Sequence, residues 1–254
     1  MKKYNFEWFS KTLKNGMKVL LVHKPQFSQS FFLLGIKAGG MDLCQKRGLD
    51  QLTYPSGCAH FLEHQMFRLY GQDVTDQFAD LGAMTNAFTG LSETAYYFST
   101  SSNPDKPLSL LMDFVQNLDI DVESVEKEKG IILSEYNMYQ QNPETRLMKL
   151  VWNALYQTHP IRIDVLGNPE DIASMKVTDL ETFYNDKYDP QNMVLVGVTG
   201  KEPCLLLKEI EQKQESYDKH FSQLTERVFL KEPDTVTKEI VEDRMDISIP
   251  YVAL

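Results

Sequence analysis

The chain has 254 residues, 42% of them hydrophobic and 24% charged. That is enough for one large globular domain, or one domain with an appendage, around a substantial core. A net charge of −10, from 26 basic and 36 acidic residues with no basic cluster, argues against nucleic acid and anionic membranes as partners.

The opening "MKKYNFEWFS" has two lysines but no apolar run behind them, so no signal peptide is expected. "TLKNGMKVLLVHKP" predicts a β-hairpin turning at Asn15-Gly16. "SFFLLGIKAGG" predicts a strand ending in two glycines, and residues 41–57 read as a loop. A helix is expected from about Cys58 to about Leu69. A second follows in "DVTDQFADLGA", with Asp73 or Thr75 as N-cap and Gly82 as stop. "MTNAFTG" and "TAYYFSTSS" read as strands. "PLSLLMDFVQNL", "DVESVEKEKGIILSEYNMYQ", "ETRLMKLVWNALY" and "VTDLETFYNDKY" read as helices, the last with Thr178 or Asp179 near its N-cap. "NMVLVGVTG" predicts a buried strand, and "PCLLLKEIEQKQESY" closes the globular part.

From about Ser216 the sequence is charged and weakly periodic and reads as a linker, with His220 in it. No segment reaches transmembrane length. Interspersed hairpin, helices and strands without strict βαβ alternation predict an α+β fold with a largely antiparallel sheet.

The chemistry concentrates in "GCAHFLEHQMF", residues 57–67. His60 and His64, one turn apart on a helix, project to one side and can grip one metal ion. Glu63 lies on that side, about 60° short of a full turn from His60, within reach of a water on that metal. H-x-x-E-H is the reverse of H-E-x-x-H and marks the inverted zinc peptidases. The motif alone also fits two ordinary histidines on an amphipathic helix.

A catalytic zinc takes three protein ligands and an open position. In "SVEKEKGIILSEYNMY", Val125, Glu128, Ile132, Glu135 and Tyr139 follow helical spacing and should face inward. Buried carboxylates need a positive partner, and a metal ion would satisfy Glu135, Glu128 or both. A partly exposed stripe with solvated glutamates is the alternative. Cys58 points away from the histidine side and reads as packing, and His23 and His159 read as structural. With Cys44 and Cys204, Cys58 makes an odd, widely spaced set, as expected of reduced thiols in a cytoplasmic protein.

H-x-x-E-H followed about seventy residues later by E-x6-E resembles the pitrilysin/insulinase-type inverted zinc metallopeptidase family. "LKNGMKVLLVHKP", "GAMTNAFTGLSETAYYFST", "VEKEKGIILSEYNMY" and the stretch from "HPIRIDVLGNPEDIASMK" to "NMVLVGVTG" resemble further family segments, so the resemblance spans roughly residues 8–215. It is nearest to the N-terminal catalytic half of the bacterial processing-protease branch.

The resemblance implies the metallopeptidase half-domain fold and one Zn2+ per chain, held by His60, His64 and Glu135. It implies Glu63 as the base that takes a proton from the attacking water, and Glu128 as a support for the site. It further implies that Asn86 and Ala87 lie on the edge strand where a peptide substrate is captured. Residues 1–215 would then be the zinc metallopeptidase domain, and 216–254 a linker and the start of a second half-domain.

The family works as paired halves, so the resemblance implies a homologous second half-domain or partner subunit, in a homo- or heterodimer, for full activity. The Arg and Tyr groups expected of a second half have no counterpart here. A non-catalytic scaffold subunit is the alternative. S-ribosylhomocysteine lyase shares H-x-x-E-H but uses a cysteine as third ligand, and Cys204 is not comparably placed.

Overall fold

The computed structural model describes residues 7–217 and 223–254, so the opening "MKKYNF" and His220 lie outside the described residues. In chain order the elements are β1 (Glu7–Thr12), β2 (Lys18–His23), β3 (Ser30–Ile36), β4 (Cys44–Arg47), β5 (Asp50–Thr53), α1 (Cys58–Gln65), β6 (Arg68–Leu69), β7 (Gln72–Asp73), α2 (Val74–Asp80), β8 (Ala83–Thr89), β9 (Thr94–Thr100), α3 (Asp105–Val115), α4 (Val122–Gln140), α5 (Pro143–Leu155), α6 (Pro169–Ser174), α7 (Val177–Lys187), β10 (Met193–Thr199), α8 (Pro203–Glu215) and β11 (Glu226–Arg227).

A six-stranded sheet in the order β1-β2-β10-β3-β9-β8 organises the domain. Every pairing in it is antiparallel except that of β10 with β2. The fold is thus α+β with a largely antiparallel sheet, as the pattern of elements predicts.

Strand alternation decides which face the helices cover. Val19, Leu21, Phe32, Leu34, Ile36, Tyr96, Phe98, Met193 and Leu195 are buried on one face, with Phe61, Leu62, Phe78, Leu111 and Phe114 of the helices in the same core. The intervening residues Leu20, Val22, Leu33, Val196 and Val198 are only half-buried, and Phe31 and Val194 are exposed. β10 is therefore buried on one face, not two, although its sequence has no polar break. An apolar strand reads the same whether one face or both are covered.

Three local expectations change. Residues 41–57 are not one loop, because β4 and β5 pair as a hairpin around Gly48 (φ 60°). Both strands are short, polar and largely exposed, so no apolar alternation announces them. α1 stops at Gln65 rather than near Leu69. Tyr70 (φ 53°) and Gly71 (φ 75°) make the two-residue turn that pairs β6 with β7, and that geometry breaks a helix despite the apolar run before it. The N-cap of α7 is Lys176, two residues before Thr178, and Asp179 accepts from its N–H. α2 follows its prediction: Asp73 is the N-cap, accepting from the Thr75 N–H, and Gly82 (φ 68°) follows the last turn.

The charged stretch beyond residue 222 is held to the domain at several points between residues 226 and 238. β11 pairs with β4, the N–H groups of Thr237 and Lys238 both donate to the Ala154 carbonyl at the end of α5, and Phe229 stacks on His159 at 4.8 Å. Glu232 accepts from the N–H groups of Gln157, Thr158 and His159 and from the Thr158 hydroxyl.

Burial opposes its charge, but these donors outweigh burial and bring the Glu232 carboxyl down to about 2. A folded pKa below the unfolded one gives stability that is present above the unfolded value and is lost as pH falls through the folded one. The Gln157, Thr158 and His159 amide resonances are therefore expected to titrate with a midpoint near 2, and Glu232→Gln to abolish that step. A midpoint near 4, the ordinary glutamate range of about 4.3, would mean that the carboxylate is not held this way.

Candidate metal centre

α1 positions the motif, and its start is fixed by close backbone contact. Gly57 has φ 80° and its missing Cβ would sit 2.1 Å from the Leu166 carbonyl oxygen; opposite it, Gly167 has φ 93° and its Cβ would sit 2.4 Å from the Ser56 carbonyl. The Ser56 hydroxyl bonds Asp171 and accepts from the Asn168 N–H at 2.9 Å. Gly57→Ala combines left-handed strain with a clash against backbone that cannot yield, so a loss of about 3 kcal/mol or more is expected in the denaturant midpoint. Gly71→Ala, at φ 75° with nothing within 4 Å of the new Cβ, isolates the strain alone and should cost about 1–2 kcal/mol.

α4 carries the two glutamates. Asp121 and Ser124 form its capping box, and Val125 and Ile132 are buried against the core. Glu128 and Glu135 are half-buried beside that anchor, and Tyr139 is exposed at 40%. The predicted stripe therefore faces inward at its apolar positions and borders the site at its acidic ones.

The atoms converge. Glu135 Oε2 lies 3.7 Å from His60 Nε2 and 3.4 Å from His64 Nε2. One donor atom from each of His60, His64 and Glu135 falls within 4.8 Å of the others, a grouping that could hold a metal ion. Tetrahedral zinc with bonds near 2.0–2.1 Å separates its ligand atoms by about 3.3 Å. The two measured distances are close to that.

His64 Nδ1 bonds Glu128 Oε1 at 2.8 Å, which turns Nε2 inward. His60 is buried, and its Nδ1 has no hydrogen-bond partner among the described residues. Its Nε2 is too far from Glu135 for a hydrogen bond. A metal on Nε2 would leave Nδ1 as it is, so it is Nε2, 3.7 Å from Glu135 Oε2, that an ion between them would engage. Burial, and then the nearby His64, push the His60 pKa down to about 3, so the ring is neutral, the form a metal takes. The donor set fits a zinc ion.

Glu63 is 9% exposed and outside that grouping. Its Oε2 accepts from the Thr89 hydroxyl at 2.5 Å. Burial raises its pKa and Glu135 adds to that, while Thr89 and His64 oppose it. Beneath it the Tyr96 and Tyr188 hydroxyls bond at 2.8 Å. Thr89, at the end of the "NAFT" strand, shows nothing in the sequence that marks it as a partner of Glu63.

Asn86 and Ala87 lie on β8, which among the described residues has a strand partner on one side only. Asn86 is exposed, and its Oδ1 accepts from the Ala87 N–H at 2.8 Å. Cys58 is buried, its thiol against the Asp179 carbonyl and its pKa pushed up by burial. His159 caps a short 3-10 turn, accepting at Nδ1 from the Ile161 N–H.

With this geometry, residues 18–169 match the profile of the Insulinase family (peptidase family M16), and the chain belongs to that family. Among its relatives is YmfH of Bacillus subtilis, a zinc protease itself uncharacterized, 34% identical over 244 residues that cover 95% of this chain and 57% of that protein. The mitochondrial-processing peptidase subunit beta of Neurospora crassa is 30% identical over 219 residues, 84% of this chain and 43% of that one. The crystal structure of an M16-like peptidase from Alicyclobacillus acidocaldarius superposes with a TM-score of 0.89 at 34% identity, over 93% of this chain and 56% of that one. The chain thus spans about half the length of these relatives.

Proposed function

We propose that this chain is the metal-bearing half of a zinc endopeptidase acting on unfolded peptides. The observation that carries the reading is the convergence of His60 Nε2, His64 Nε2 and a Glu135 oxygen on one point, with Glu63 beside it and outside the donor set. His60, His64 and Glu135 would hold the ion. Bound there, zinc lowers the pKa of the attacking water and polarises the scissile carbonyl. Glu63 accepts a proton from that water and passes it to the leaving amine nitrogen. Glu128 fixes the His64 ring through Nδ1 and raises its basicity as a ligand. An extended peptide adds to the open edge of β8, its main chain taking the Ala87 N–H that Asn86 now satisfies.

The chain works, on this reading, with a homologous second half-domain or partner subunit. Two observations support it: the relatives run to about twice this length, and the second face of the sheet is apolar but incompletely covered among the described residues, with Leu20, Leu33 and Val196 half-buried and Phe31 and Val194 exposed. Residues 1–215 are then the catalytic-half domain, and 216–254 the connection to the second half. Among the described residues no helix is long and apolar enough to cross a membrane.

The test is hydrolysis of an unstructured peptide by the zinc-loaded chain, alone and with the remaining half of the relatives' length supplied. Slow or absent cleavage alone, a marked gain with the second half, abolition by a chelator and recovery on adding zinc are expected. Cleavage that survives chelation, or no cleavage even with the second half, would overturn the reading.

A further inference from the structure

Arg227 reads from the sequence as one charge in a polar linker, yet it sits at a junction of the fold. Its Nε and Nη2 donate to the two oxygens of Asp42 at 2.9 and 2.7 Å, and Nη2 also donates to the Ser92 carbonyl at 2.5 Å. Asp42 is 2% exposed. It further accepts from the Gly39 N–H at 2.7 Å and the Gln45 amide at 2.8 Å, with Lys187 Nζ at 3.3 Å. A carboxylate this buried and this fully bonded has one position.

The two anchors of Arg227 lie on segments that press together. The Gly40 N–H donates to the Gly90 carbonyl at 3.0 Å and the Met41 N–H to the Leu91 carbonyl at 2.9 Å. A Cβ at Gly39 would lie 2.6 Å from the Gly90 oxygen, so the contact is backbone on backbone. The Gly90 N–H closes the 90–93 turn on the Glu93 carbonyl at 2.7 Å. Immediately before that turn is Thr89, whose hydroxyl donates to Glu63. Thr94, immediately after it, donates to the Ala38 carbonyl at 2.8 Å. The guanidinium therefore ties the 38–42 segment and the turn into one unit, and that unit sets where the Thr89 hydroxyl points.

We propose that Arg227 is a positioning residue: through Asp42 and the Ser92 carbonyl it fixes the 89–94 turn and so aims Thr89 at Glu63. The functional weight of this rests on Glu63 acting as the base, but the positioning itself does not. Planar, forked and always charged, arginine can hold a carboxylate and a carbonyl at once; a lysine ammonium has no second arm.

The test is NMR on the zinc-loaded chain, reading the three-bond carbon–nitrogen and carbon–carbonyl couplings of the Thr89 methyl in wild type, Arg227→Lys and Arg227→Gln. Wild type should show one Thr89 rotamer. Arg227→Lys, which keeps a cation on Asp42 and so folds, should show averaging among rotamers, and Arg227→Gln more. Zinc affinity should change by less than about two-fold, because the ligands are not in this path. A lowered melting temperature with the Thr89 couplings unchanged in every variant that folds would overturn the proposal and leave Arg227 a structural tie only. Absence of zinc from the wild type would sink the metal reading instead, and the couplings would still decide the role of Arg227.

Discussion

Replacing Glu135 with alanine is expected to strip the purified chain of zinc, from about one ion per chain to background by elemental analysis, with affinity weakened about 10³-fold or more. Glu135 Oε2 faces both Nε2 atoms at 3.4 and 3.7 Å and is the anionic member of the three donors. Two neutral imidazoles remain after its loss, and they cannot complete a tetrahedral site. Glu128→Gln is the informative companion. Glu128 touches His64 through Nδ1, the nitrogen that faces away from the other donors, so its change should cost only about 10–100-fold. The reverse ranking, zinc kept in Glu135→Ala and lost in Glu128→Gln, would make Glu128 the third ligand.

Much of the site is legible in the sequence because its parts are local. His60, Glu63 and His64 are fixed by helical spacing within one short helix. Glu128 and Glu135 are likewise placed by one helix, since Val125 and Ile132 dictate which side of α4 faces inward. What joins the two helices is nonlocal, and there the family resemblance, not spacing, selected Glu135 over Glu128.

The misreadings have physical causes. The β4–β5 hairpin and β11 are too short and polar for hydrophobic alternation to show. The Tyr70-Gly71 turn depends on positive φ at a tyrosine, which no propensity favours. The docked segment after residue 222 is held by single polar contacts, Arg227 on Asp42 and Glu232 on three amides, rather than by an apolar stripe. Charged residues with long-range partners read as solvated until the partners are seen. Thr89 escaped for the same reason, since its meaning lies in Glu63, 26 residues away.

Glu63→Gln is expected to lower peptide hydrolysis by about 10²–10⁴-fold and to leave zinc content unchanged. The substitution is nearly isosteric, and its carbonyl oxygen can still accept from Thr89, so the local packing should persist. On the proposed mechanism, what is lost is the ability to take a proton from the attacking water. Thr89→Val removes a different element, the hydroxyl that orients the carboxylate. It leaves the carboxylate in place, so its loss should be smaller, about 10- to 100-fold, the scale of one hydrogen bond to a charged group at about 1.5–3 kcal/mol. The comparison separates proton transfer from orientation. The two residues share one hydrogen bond, so the double variant should be little worse than Glu63→Gln alone. If zinc and hydrolysis fall together in Glu63→Gln, Glu63 is a ligand rather than a base, and the separation between the three donors and the fourth carboxylate is not how this site works.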